Sequence, residues 1–307
     1  MDAISTDAAS DHYAAPAPVL IAATGSAARQ RAVRTIEASG LRIADIVEIE
    51  QAPERIERQA AASALWVELD CDRGGAMDRL LDSVNRDVRA GRFSAVVAAT
   101  ADLVDPCSAR LTDNAVDLLV DATDADRAAA LALAVSGVHR AGHLSDIATD
   151  RNSARLRQLS DEVGRIASTL ARLSSGPATA LHEVPPMTHS DTPPDVAPDI
   201  VRSVIRARRL RSRFFAEDLF ADPAWDMLLD LLQAEIAQLR VPVSSLCIAA
   251  AVPATTALRW LKTMTGQGLF VRRADPHDGR RVFVELAPPA SLALRRFFVD
   301  VGHPAVV

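Results

Sequence analysis

The sequence predicts an α/β protein with two folded parts. One is a doubly wound, parallel, five-stranded sheet near the N-terminus; the other is a small C-terminal domain of helices closed by a hairpin. Three observations predict it. From Val19 to about Gly142, short near-continuous apolar runs alternate with amphipathic stretches, as strands covered by helices on both faces must. A stripe of leucines at helical spacing follows, then a stretch rich in Pro, Thr, Ser and Asp. Seven of the eight Phe and two of the three Trp lie after residue 210, so the two ends have differently built cores.

The chain of 307 residues exceeds one typical core, and 49% of it is apolar, which suits two domains with connectors. No apolar run approaches the ~20 residues that span a bilayer. Residues 1–18 are rich in Asp, Ala and Ser, with neither a basic start nor an apolar h-region; they read as a disordered N-terminus and not as a signal peptide. Cys71, Cys107 and Cys247 are scattered without metal-ligand or disulfide spacing, and a reducing, cytoplasmic setting is expected. A net charge of −6 argues against a protein that coats nucleic acid over its whole surface. Lys262 is the sole lysine, and Ala and Asp abound. That pattern matches codon usage in a GC-rich genome, so arginine number alone carries little functional weight.

Residues 19–143 form the first expected domain. Its strands are expected at Val19–Thr24, Arg42–Ile49, Ala64–Leu69, Ser94–Thr100 and Asp117–Asp121. The helices between them are expected at Ala27–Ser39, Pro53–Ala61, Gly75–Ala90, Ser108–Asn114 and Asp124–Arg140. Residues 144–173 then carry Leu156, Leu159, Val163, Ile166 and Leu170 at spacings of three and four. The favoured reading is a coiled coil that makes a homodimer; the plainer one is a helix packed on its own domain. Residues 174–200, with Pro185–Pro186 and Pro193–Pro194, read as a flexible tether.

Residues 201–307 form the second domain. Arg202, Arg206, Arg208, Arg209, Arg211 and Arg213 lie within a dozen residues without an acid. Phosphate contact and a solvated helix are both open readings of that run. Asp222–Pro223 is a helix start, a capping Asp before a Pro at the first helical position. Leu228, Leu229, Leu232, Ile236 and Leu239 give that helix an apolar face, and Pro242 stops it. Ser244 is placed to cap a short second helix through Ala250, and Val252–Pro253 makes a turn. A third helix is expected over 254–267, closed by Gly268. Ala257, Leu258, Leu261 and Met264 occupy one side of it, and Thr255, Thr256, Arg259, Lys262 and Thr263 the other. No acid occurs in this helix. Hydroxyls and cations without a carboxylate are what base edges and phosphates require. A basic hairpin follows, with strands around Phe270–Arg273 and Val282–Leu286, Asp278–Gly279 at its tip, and Arg272, Arg273, Arg280 and Arg281 along it.

On the run Val252-Pro-Ala-Thr-Thr-Ala-Leu-Arg-Trp-Leu, then Gly268-Leu-Phe-Val-Arg-Arg, then Asp275-Pro-His-Asp-Gly-Arg280, the segment Val243–Leu286 resembles the DNA-binding core of MarR-type winged helix-turn-helix regulators. The resemblance implies a recognition helix at 254–267 and a wing at 272–284. It also implies that Arg280 enters the minor groove and that Asp275 braces the wing. It covers about a quarter of the chain. Ala287–Pro288 stands where the family usually has Thr, and the family's flanking dimer helices and ligand pocket are not evident, so small-molecule sensing is not carried over.

The first domain resembles a response-regulator receiver, which is flavodoxin-like in fold. That chemistry needs an acidic pair after the first strand, a phosphoacceptor Asp ending the third, a Ser or Thr ending the fourth and a Lys ending the fifth. Here the first strand ends Ala23-Thr24-Gly25, without an acid; Asp70 and Thr100 fit their places; Asp121 stands where the Lys should be. Asp70 thus reads as a vestigial phosphoacceptor in a domain that has lost phosphotransfer. Thr24-Gly25-Ser26 offers one glycine at a helix start, without the GxGxxG fingerprint of a dinucleotide site. No catalytic constellation, cofactor or metal site is expected, although His139 and His143 stand four residues apart. The expected protein is a dimeric transcription regulator whose partners are double-stranded DNA, a second copy and an unspecified small-molecule or protein signal, with no membrane. The alternatives are a ligand- or nucleotide-binding sensor acting through the first domain, and an adaptor whose C-terminal domain binds protein.

Overall fold

The computed structural model describes residues 17–60, 62–112, 115–136 and 194–301, apart from the side chains of 217 and 218. Residues 1–16 of the expected disordered N-terminus, the stripe from Leu156 to Leu170, the His139–His143 pair and nearly all of the tether lie outside the described residues. Two compact units contain the rest: residues 17–100 with 115–135, and residues 101–112 with 194–301.

The first unit is a parallel sheet of five strands in the order β2-β1-β3-β4-β5. They are β1 (Val19–Ala23), β2 (Ile43–Glu48), β3 (Ala64–Leu69), β4 (Ser94–Ala99) and β5 (Val116–Val120). Every residue of β1, β3 and β4 is buried, whereas β2, at an edge, is buried at none. Central parallel strands covered on both faces have that composition. Helix α1 (Ser26–Ala38) buries Ala28, Ala32 and Ile36, four residues apart, so small side chains bring the helix close to the sheet. They join Ile21, Trp66, Val96 and Leu119 in one core, which Leu131 of α5 (Asp124–Ser136) completes. Helix α3 (Gly75–Arg89) buries Met77, Leu80, Leu81, Val84 and Val88 and packs with α2 (Ala52–Glu57). The order reverses between β1 and β3, placing the loops after those two strands at the switch point of the sheet.

The segment expected to be helical at Ser108–Asn114 instead forms α4 at Val104–Arg110, after a short 3-10 turn. Leu103, Val104, Cys107 and Leu111 are all buried, and this helical spacing starts the helix earlier. Pro106 falls in the first turn, where its missing N–H costs nothing.

After α4, which belongs to the second unit, that unit continues with α6 (Pro198–Leu210), so the last residues assigned to the tether are helical. It packs on α7 (Pro223–Ile236). The Asp222 side chain accepts from the Trp225 N–H at 3.1 Å, the cap expected of it. Then come β6 (Val241–Pro242), α8 (Val243–Ala249), α9 (Ala254–Gly266), β7 (Phe270–Ala274), β8 (Val282–Leu286) and α10 (Pro288–Val301). The axes of α8 and α9 differ by 107° across a four-residue break, the angle of a helix-turn-helix. Gly268, at φ +72°, turns the chain from α9 into β7. The strands form an antiparallel sheet in the order β6-β8-β7. Among the described residues no single helix is long and apolar enough to cross a membrane.

Candidate nucleic-acid interface

Helix α9 divides as its periodicity demands. Ala257, Leu261 and Met264 are buried. Thr256, Arg259 and Thr263 are exposed, with Thr255 and Lys262 half-buried beside them. The Thr263 hydroxyl donates to the Arg259 carbonyl at 3.0 Å, which leaves its oxygen able to accept from an external donor. Trp260 is also exposed on this helix, at 39%. Sequence reasoning missed it, although it lies four residues after Thr256 on the same polar face.

The hairpin tip is braced by its own carboxylates. Asp275 Oδ1 accepts from the His277 N–H at 2.9 Å, and the Asp275 N–H donates to the Arg281 carbonyl at 3.0 Å. Asp278 Oδ1 accepts from the Arg280 N–H at 3.0 Å, and its other oxygen lies 3.3 Å from Arg281 Nε. Such Asx turns hold a tip without a buried core.

The four hairpin arginines differ in setting. Arg273 and Arg281 are 65% and 64% exposed at their side chains. Arg273 pairs with Glu285 across the strands at 2.6 Å. Arg280 is half-buried. Arg272 is turned the other way: it shares a strand face with the buried Phe270, and its guanidinium donates to the Ser108 carbonyl. Burial lowers its pKa from the usual arginine value.

Ser244 does not cap α8 with its own side chain. Pro242 holds the cap position, and Ser244 is the second residue of the helix. Both its N–H, at 2.9 Å, and its hydroxyl, at 2.6 Å, donate to the Asp105 carboxylate. Nothing in the local pattern signals this contact across 139 residues.

The arginine run of α6 is partly structural. Arg208 binds Asp226 at 2.7 Å, Arg209 donates to the Ala249 carbonyl at 3.0 Å, and Arg202 pairs with Asp199. Arg206 and Arg213 remain exposed. The run contains no acid, yet the fold supplies acids to it from α7.

At the switch point of the first unit, Asp70 directly follows β3 and is enclosed by partners. The Thr24 hydroxyl donates to its Oδ1 at 2.6 Å, and Arg31 reaches its Oδ2 at 3.3 Å. The Thr24 hydrogen bond, then Arg31, holds the carboxyl below its ordinary pKa. Glu68, fully buried on β3, binds Arg31 at 3.0 Å, Arg127 at 2.6 Å and the Trp66 indole N–H at 3.0 Å. Arg73 donates to the Thr24 carbonyl at 2.6 Å. Among the described residues no three His, Cys, Asp or Glu gather as a metal site.

No family model matches the chain, and no curated protein matches it. Solved structures similar to part of it include one described as a mechanism for regulation of DNA binding of Bordetella bronchiseptica BpsR by 6-hydroxynicotinic acid. It is 19% identical over 33% of this chain and 74% of that one, at a TM-score of 0.21. The transcriptional regulator Tm0710 from Thermotoga maritima is 21% identical over 34% and 76%, also at 0.21. A probable transcriptional regulator from Pseudomonas aeruginosa is 27% identical over 34% and 78%, at 0.22. Scores of this size over a third of the chain do not establish a family.

Proposed function

We propose that this chain is a DNA-binding transcriptional regulator that reads duplex DNA with α9 and steadies itself on the backbone with the β7–β8 hairpin. One observation carries the reading. The solvent face of α9 presents Thr256, Arg259 and Thr263 without a carboxylate, next to a hairpin whose tip is braced from within and whose Arg273 and Arg281 point outward. Hydroxyls and a guanidinium reach base edges, and the hairpin cations meet phosphates. Thr255, Lys262 and Arg280 belong to the proposed surface, with Asp275 as the brace. The MarR-type resemblance of Val243–Leu286 agrees with this reading.

The first unit is a receiver-like domain without phosphotransfer, since Thr24 and Arg31 engage both oxygens of Asp70. Dimerisation runs through Leu156, Leu159, Val163, Ile166 and Leu170, a proposal resting on sequence alone. The protein works in the cytoplasm and not as an enzyme.

The test is capture of genomic DNA fragments by the purified chain at two salt concentrations, followed by titration of the enriched duplex. Arg259→Ala is expected to lose about 1–3 kcal/mol on that duplex and to relax preference at one base position. Binding that ignores salt, or no binding, sinks the proposal. The exposure of Ile248 at 75%, near the α8–α9 turn, favours a protein partner as the second reading; salt-independent capture of protein in place of DNA would support it.

A further inference from the structure

We propose that segment 101–112 is an internal latch, in which Asp105 holds α8 and the Ser108 carbonyl withholds Arg272 from DNA phosphate. The inference rests on the DNA-binding reading and deepens it by assigning a regulatory contact to the same surface.

Side chains two apart on a strand share a face, so Arg272 lies with buried Phe270, and it pairs in register with buried Val284 on β8. Arg273 and Arg281 meet solvent. A cation on the inward face needs an acceptor, because desolvation without one is costly. It finds the Ser108 carbonyl, 164 residues away in the chain.

That acceptor is neutral. A guanidinium bound to a carbonyl keeps an uncompensated charge, whereas a phosphate supplies a full negative charge and bidentate geometry. The contact is therefore one that phosphate would displace if the segment gave way. Burial lowers the Arg272 pKa, as expected for a desolvated cation without a carboxylate beside it.

Asp105 is the second fastening. It lies three residues before Ser108 on α4, hence on the same side of that helix, and takes both donors of Ser244. The Cys247 thiol, one turn further along α8, is pushed up to about 12 by burial and then by Asp105. Asp105 is thus a half-buried carboxylate that accepts two hydrogen bonds from one serine. Ser244 belongs to the first helix of the helix-turn-helix, and Arg272 to the hairpin strand that follows the second. One short segment thus touches both the first helix of the helix-turn-helix and the hairpin that follows the second.

The test is fluorescence anisotropy of the full chain on a labelled mixed-sequence duplex over a salt series. Asp105→Ala is expected to bind several-fold tighter, with a salt slope steeper by about 0.9, the contribution of one added phosphate contact. Arg272→Ala alone should leave affinity and slope as in the parent. The double variant should lose the gain. Asp105→Asn keeps an acceptor for Ser244 and should gain less. Ser244→Ala loosens the latch by a second route if Asp105→Ala fails to fold: it removes the hydroxyl bond and keeps the backbone N–H bond, so it should steepen the slope in the same direction by less. A shallower slope for Arg272→Ala alone would mean that Arg272 already meets phosphate, which overturns the latch. So would parental slopes in both Asp105→Ala and Ser244→Ala. If the parent binds no duplex at any salt, the DNA reading falls and the latch with it; parental binding with unmoved variants removes the latch alone.

Discussion

The carboxyl edge of the five-stranded sheet and the outward face of α9 with its hairpin are both dense in arginine, but they use it differently. At the sheet, Arg127 is 9% exposed and Glu68 is 2% exposed at their side chains, locked at 2.6 Å with Arg31 and the Trp66 indole around the same carboxylate. On the hairpin, Arg281 is 64% exposed and reaches Asp278 at 3.3 Å. A buried pair holds structure because neither partner can return to water alone. An exposed pair contributes little, and its cation is available to an outside anion. Arginine therefore marks architecture in one place and a binding surface in the other, and burial separates the two.

The sharpest way to break that contrast is Glu68→Ala. It leaves Arg127 buried without its counter-charge and removes the acceptor of the Trp66 indole and of Arg31. Losing one partner of a buried pair costs about 3–5 kcal/mol. Urea unfolding followed by Trp66 fluorescence, in a background with Trp225→Phe and Trp260→Phe, isolates the first unit. A loss below about 1 kcal/mol would place Glu68 with the surface pairs and erase the distinction.

The hairpin gives the opposite expectation and a smaller one. Arg273→Ala and Arg281→Ala should each change stability by no more than about 1 kcal/mol, the range of exposed ion pairs. Each should make the salt slope of DNA binding shallower by about 0.9. A large loss of stability without a change of slope would show these arginines to be architectural as well, and only the α9 face would remain as a candidate surface.

What could be read from the sequence follows the same division. The strands β1, β3 and β4 were legible because unbroken apolar runs mean burial on both faces. The α9–hairpin unit was legible because its signals are local: periodicity, Gly268, and Asp278–Gly279 at the tip. Glu68 was hidden inside the run Ala64–Leu69, which reads as a plain buried strand, since its partners Arg31 and Arg127 come from helices 37 and 59 residues away. The arginines at 202–213 stayed open between two readings for a related reason. Their acid-free neighbourhood in sequence says nothing of Asp226, which α7 brings to Arg208. Arg272 looked equal to Arg273, and only pairing with β8 decides which of two adjacent residues faces inward. Segment 101–112 carried no mark of its place beside α8.

The smallest effect tests Asp70, which stands between the two classes at 26% side-chain exposure. The Thr24 hydroxyl and then Arg31 favour its charged form, so its folded pKa lies below the ordinary value of about 3.9. A group depressed on folding stabilises the fold above its unfolded pKa and loses that contribution as pH falls through the folded value. Asp70→Asn can still accept from Thr24 but carries no charge for Arg31. The parent should therefore melt higher than Asp70→Asn near neutral pH, and the two curves should converge below about pH 4. Partial exposure keeps the gap small, because water screens the Arg31 contact. Curves that stay parallel down to acid would mean that Asp70 contributes through its hydrogen bond to Thr24 and not through its charge. Asp70 would then hold the switch point only through Thr24, and Arg31 would serve β3 through the Glu68 carboxylate.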